Sequence, residues 1–145
     1  MRRATFLISS LKKTEIVDIT DRVLSFVKEQ GMHDGLVLVR ALHTTAGVFL
    51  NENEDGLHDD ALRALAQLLP EGEPYRHDDF TTRKNIEEDE RKNAHSHLRA
   101  MLLGHTVTVP VIAGALSLGK WQSILFFDFD GPRERTVEII AMIEK

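Results

Sequence analysis

The stretch that decides the fold is HTVTVPVIAGALSLGKWQSILFFDFDGPRERTVEIIAMI, residues 105–143. β-branched and aromatic residues fill four runs within it, HTVTVPVI, ALSLG, WQSILFFDF and RTVEIIAMI, which read as strands. Turn residues, Ala113-Gly114 and Asp130-Gly131-Pro132, separate some of them. Links that short join antiparallel neighbours. Upstream, RATFLIS (3–9), LVLVRAL (36–42) and AGVFLN (46–51) add further strands. Val23, Leu24 and Val27 repeat at helical spacing behind the capping side chains of Asp18, Thr20 and Asp21, with Gly31 as a stop. Leu57, Ala61, Leu62, Leu65 and Leu68 mark a second helix, ended by Pro70. Leu98, Met101 and Leu102 mark a short third one, ended by Gly104. Strands outnumber helices and do not alternate with them. The expected class is α+β, one domain over residues 1–145, with a largely antiparallel sheet and about three helices.

Residues 71–92 are polar, punctuated by Gly72 and Pro74, and carry no evident element. A long irregular segment inside a small domain marks a functional loop or a disordered one, and Tyr75, His77 and Phe80 speak for order.

Composition narrows the function. A chain of 145 residues suits a single core. The formal net charge of −5 and the acidic clusters at 51–60 and 87–90 argue against nucleic acid as a partner. No apolar run approaches the roughly 18 residues of a membrane span, and MRRATFLISS lacks the apolar core of a signal peptide. A cytoplasmic protein without a membrane partner is expected. With seven histidines and no cysteine, any metal must be held by imidazole and oxygen ligands.

Chemistry-bearing residues gather in a few places. LHTTAGVFLNENED (42–55) puts His43, Thr44 and Thr45 between two strands. It then crowds Asn51, Glu52, Asn53, Glu54 and Asp55 where a strand gives way to a helix. Helix capping accounts for one or two of the five, and capping competes with chemistry for Asp55. His43, His77 and His97 each fall in a loop or near an element's edge. Three neutral imidazoles with one open position make a zinc or nickel site. His95 and His97 form a pair two residues apart. On a helix that spacing turns about 200°, so the two cannot face the same group there. Trp121, the single tryptophan, is expected in the core, with Gln122 on the opposite face of its strand. Arg133 and Arg135 beside the Gly131-Pro132 turn are candidate phosphate clamps.

Taken together these stretches resemble the YjbQ-like family, also called the secondary thiamine-phosphate synthase family. The matching motifs are His43-Thr44-Thr45-Ala46, Asn51-Glu52-Asn53-Glu54-Asp55, Asp60, Tyr75-Arg76-His77-Asp78, Ser96-His97-Leu98-Arg99 through Gly104, and Gly119-Lys120-Trp121-Gln122. Lys120 departs from the family's threonine. The resemblance favours His97 over His95 and implies a homotrimer with a site near the subunit contact. It implies the joining of a pyrimidine diphosphate to a thiazole phosphate with loss of pyrophosphate. In that scheme Glu52, Asn53, Asp60 and Gln122 are catalytic candidates. Thr44, Thr45, Lys120, Trp121 and Arg133 bind a phosphorylated or heterocyclic small molecule. His43, His77 and His97 hold a divalent metal, zinc or nickel, with magnesium accompanying phosphoryl substrates. A metal-dependent hydrolase or lyase and a non-catalytic trimeric ligand-binding protein are the alternatives.

Overall fold

The computed structural model describes residues 2–143, and in it the strands of the C-terminal third divide between two sheets. The order is β1 (Arg2–Ser9), β2 (Glu15–Asp18), α1 (Thr20–Glu29), β3 (Gly35–Ala41), β4 (Ala46–Asn51), α2 (Asp55–Leu68), a 3-10 turn (Arg76–Asp78), α3 (Ala94–Leu103), β5 (Thr106–Ile112), β6 (Ala115–Leu116), β7 (Ser123–Asp128) and β8 (Glu134–Ile143). One sheet runs β1-β8-β3-β5-β6 and the other β2-β7-β4, with antiparallel pairing throughout. The fold is α+β, as expected, with three α-helices among the described residues.

The period-2 alternation of β7 sorts its phenylalanines. Phe126 enters the main core with Val37, Val39, Val48, Val137 and Ile139, between the two sheets, where Val23 and Val27 of α1 join it. Phe127 faces the other side of the small sheet. There it packs with Phe129 and Ala100, under Leu62 and Leu65 of α2 and Leu103 of α3. A layer of helices therefore covers the small sheet's outer face. Gly47 on β4 lets α3 approach: a Cβ there would stand 2.7 Å from the Gly104 carbonyl oxygen.

Three of the chain segments that cross from one sheet to the other, at 10–14, 42–45 and 129–133, meet. Ser10 N–H donates to the Arg133 carbonyl, Gly131 N–H to that of Lys13, and Phe129 N–H to that of Thr45. Beneath them lies a buried ion pair. Arg135 donates to both Asp128 oxygens at 3.0 and 2.5 Å and to Thr45 Oγ1 at 3.1 Å. Ser10 Oγ donates to Asp128 Oδ2 at 2.6 Å. This cluster bolts the crossings together.

Several expectations are corrected here. The Asp130-Gly131-Pro132 link is a sheet-to-sheet crossing, not a hairpin, because β7 and β8 pair with different partners. Arg135 is 2 % exposed and satisfied by Asp128, so it is no phosphate clamp. Trp121 is 64 % exposed, in the turn before β7, with the Lys120 ammonium 4.6 Å over its ring. It is neither in the core nor on a strand. Gln122 sits in the same turn, accepting from Gly119 N–H at 2.8 Å. Glu54, not Asp55, caps α2, accepting from the N–H groups of Gly56 and Leu57. The segment around Asp18, expected only to cap, closes a short strand, β2, before Asp18 Oδ1 accepts from Thr20 N–H.

Candidate active site

The third helix buries the face opposite to the one its leucines mark. Met101 and Leu102 are 71 % and 58 % exposed, while Ala94, His95, Ser96, Arg99 and Ala100 are buried. Polar bonds anchor that face. Ser96 Oγ donates to the Phe129 carbonyl at 2.6 Å, and Arg99 donates to that of Leu69 through Nε and one terminal nitrogen. The helix runs unbroken through His95 and His97, so the two imidazoles leave it on different sides. His95 goes inward, and His97 reaches an open cleft of about 600 Å³. That volume is in the range of small-molecule sites.

His77 meets it there. The two imidazole centroids are 4.8 Å apart. Asp78 fixes His77: its Oδ1 accepts from His77 Nδ1 at 2.9 Å and from the Ala94 N–H, the first residue of α3, at 3.0 Å. A carboxylate only accepts, so Nδ1 carries the proton that faces Asp78, and Nε2 is the nitrogen left to exchange a proton. One carboxylate thus caps the helix bearing His97 and sets the tautomer of His77. Arg83 steadies the loop between them, donating to the His77 carbonyl at 2.8 Å and pairing with Glu90. Residues 71–92 are therefore held by their own bonds around the 3-10 turn. Burial, and then the neighbouring His77, push the His97 imidazole below its ordinary value of 6.5. Near neutral pH His97 is an uncharged base.

The far wall comes from the β7–β8 crossing. Asp130 is buried, and two arginines flank it, Arg91 at 3.5 Å and Arg133 at 3.2 Å. Two guanidinium groups share this one carboxylate. Glu87, Asp89 and Glu90 line the cleft as well.

Of the residues singled out in the sequence, His77, His97 and Arg133 come together here. His43 does not line the cleft. Its Nε2 accepts the Thr136 N–H at 2.7 Å, and burial, followed by the charge of Arg135, keeps it neutral. Among the described residues no group of three or more His, Asp or Glu side chains is placed to hold a metal ion. With the His43 Nε2 lone pair already engaged, the three histidines do not fit a metal centre within one chain. Thr45 is buried against Arg135, whereas Thr44 is exposed. Asn53 donates to Asp18 at 3.0 Å, and Asp60 pairs with Arg63 on the exposed face of α2. Glu52, Lys120, Trp121 and Gln122 lie outside the cleft. Arg91, Asn93 and Asp130 carry no local signal that would assign them a role, whereas Asp78 falls in the Tyr75-Arg76-His77-Asp78 motif.

A family model described as UPF0047 protein YjbQ-like matches residues 4–144. The chain belongs to the YjbQ-like UPF0047 family. A UPF0047 protein of Archaeoglobus fulgidus is 44 % identical over 135 residues, covering 93 % of this chain and 97 % of its own. The UPF0047 protein YugU of Bacillus subtilis is 35 % identical over 138 residues, covering 95 % and 97 %. Among solved structures, a hypothetical protein from Aeropyrum pernix superposes with a TM-score of 0.88 at 35 % identity, over 99 % of this chain and 100 % of that one. A YbjQ-like protein from Sulfolobus solfataricus superposes with a TM-score of 0.86 at 33 % identity, over 99 % and 97 %. Among the described residues no helix is long and apolar enough to cross a membrane.

Proposed function

We propose that this YjbQ-like chain is a small-molecule enzyme working by acid–base chemistry in the cleft between α3, the 87–91 loop and the β7–β8 crossing. The observation that carries this is the His77–His97 pair, with His77 oriented by Asp78. A base near neutrality and a second imidazole held in one tautomer by a carboxylate are the parts that proton transfer needs. Arg133 and Arg91 hold an anionic group of the substrate. The reaction that the family resemblance implies, thiamine-phosphate formation, suits these parts. Pyrophosphate leaves as the pyrimidine methylene carbon bonds to the thiazole nitrogen. The arginines stabilise the departing charge, and an imidazolium at His77 protonates its oxygen. The chain works as a homotrimer, a reading supported by the exposed apolar side chains of Met101, Leu102 and Trp121. Light scattering tests it, with three chain masses expected.

The test of function is product formation from the pyrimidine diphosphate and thiazole phosphate by protein purified without a histidine tag, beside the His77→Gln and His97→Asn variants. Loss of about 10²-fold in rate in each variant, with the fold retained, supports the enzyme. Product formed equally by wild type and both variants removes the cleft from the chemistry. Binding without turnover in all three supports a ligand-binding protein instead.

A further inference from the structure

Asn93 stands immediately before α3, where an asparagine side chain ordinarily caps the helix. It does not do so here. Asp78 has taken over that end of the helix through the Ala94 N–H. The Asn93 amide turns instead to the β7–β8 crossing, where Nδ2 donates to Asp130 Oδ2 at 2.9 Å. That bond fixes the orientation of the amide, since a carboxylate cannot donate to an oxygen. Oδ1 must then face away from Asp130. Among the described residues it has no donor, and Asn93 is 8 % exposed, so the oxygen is shut off from bulk water as well. A buried acceptor left unmade carries a penalty that folded chains rarely tolerate without a use. Asn93 lines the same cleft as His77, His97 and Arg133.

We infer that Asn93 is the specificity-determining residue of this cleft. Its Oδ1 accepts a hydrogen bond from an N–H donor on the substrate, an exocyclic amine or ring N–H on a heterocycle whose anionic group sits on Arg133 and Arg91. Oδ1 is closed to solvent, so the side chains over it must shift as such a ligand seats. The carboxylates of Glu87, Asp89 and Glu90 that line the cleft favour a donor-bearing ligand and disfavour one that is anionic throughout. Asp130 is the positioning residue: it orients the Asn93 amide and both arginines at once.

The inference rests on the cleft being the substrate site, and the experiment separates the two claims. The probes are (4-aminopyrimidin-5-yl)methyl phosphate, its counterpart lacking the amino group, and inorganic phosphate. Binding to the full chain is followed by calorimetry and by the side-chain amide resonances of asparagine. Wild type is expected to bind the amino probe about tenfold tighter than the counterpart, as one hydrogen bond to a buried acceptor supplies. The Asn93 amide resonance should move with the amino probe alone. Asn93→Leu should equalise the two affinities, with circular dichroism reporting that the fold has survived. Equal binding of both probes by wild type overturns the role of Asn93 and leaves the cleft standing. A preference that persists in Asn93→Leu overturns it too. Should that variant not fold, the wild-type preference and resonance shift decide by themselves. If neither probe nor phosphate perturbs the His97 or Arg133 resonances, the cleft reading falls, and this inference with it.

Discussion

Replacing Arg135 with methionine tests whether the three sheet crossings depend on one buried ion pair. The change keeps most of the side-chain volume and removes the charge. Asp128, 0 % exposed, would keep only Ser10 Oγ and the Asp130 N–H as donors. Breaking one side of a buried pair costs about 3–5 kcal/mol, because the remaining charge stays desolvated. For a domain of this size that lowers the melting temperature by about 10–15 °C. The pH dependence adds a second signature. Burial alone would raise the Asp128 carboxyl. Arg135, Ser10 and the Asp130 N–H outweigh it and hold the group below its ordinary 3.8. A depressed carboxyl contributes stability above the unfolded-state value and loses it as pH falls through the folded one. In Arg135→Met the carboxyl is no longer depressed, so the deficit against wild type should be largest near pH 7 and shrink towards pH 4. Urea unfolding of both proteins across that range measures it. A cost below about 1 kcal/mol at pH 7, or a deficit that does not change with pH, would refute the clamp.

Other outcomes follow from the same contacts. His43, His95 and His97 are each held below 6.5, with burial as the leading cause. The unfolded chain therefore binds more protons than the folded one below that value, and stability should fall as pH drops from 7.5 to 5.5, seen as a lower urea midpoint. His95→Phe should reduce that fall. Gly131→Ala should cost at least about 2 kcal/mol in thermal unfolding, since a Cβ there would sit 2.2 Å from the Lys12 carbonyl oxygen and 2.7 Å from Ser10 Oγ. Asp78→Asn should cost about 1 kcal/mol through the end of α3 and should also alter the pH–rate profile, because His77 loses the carboxylate that selects its tautomer.

The fold was legible where a pattern is local. The β5 to β8 runs, the α2 stop at Pro70 and the α3 stop at Gly104 all follow from side-chain periodicity and turn residues. What escaped depended on partners distant in sequence. A turn such as Asp130-Gly131-Pro132 reads the same whether it closes a hairpin or leaps between sheets. Only the pairing of β7 with β2 and β4, and of β8 with β1 and β3, separates the two. The face of α3 was misassigned because Ser96 and Arg99 find carbonyl partners at Phe129 and Leu69, which makes a polar face the buried one. Trp121 was expected inside because it is large and apolar, yet its turn carries it outward. For the site, the geometric objection to His95 and His97 acting together was sound, and His77, His97 and Arg133 do converge. The engagement of His43 with the Thr136 N–H was invisible, as was the shared carboxylate of Asp78, because both join elements far apart in the chain.

Proton transfer by His77 and His97 on a bound small molecule is the proposal to test first. The most direct measurement is the single-turnover rate of product formation from the pyrimidine diphosphate and thiazole phosphate, in chelated buffer, for wild type and His97→Asn. Turnover is expected in wild type and should fall about 10²-fold in the variant while the substrates still bind. Equal rates in the two proteins would contradict it.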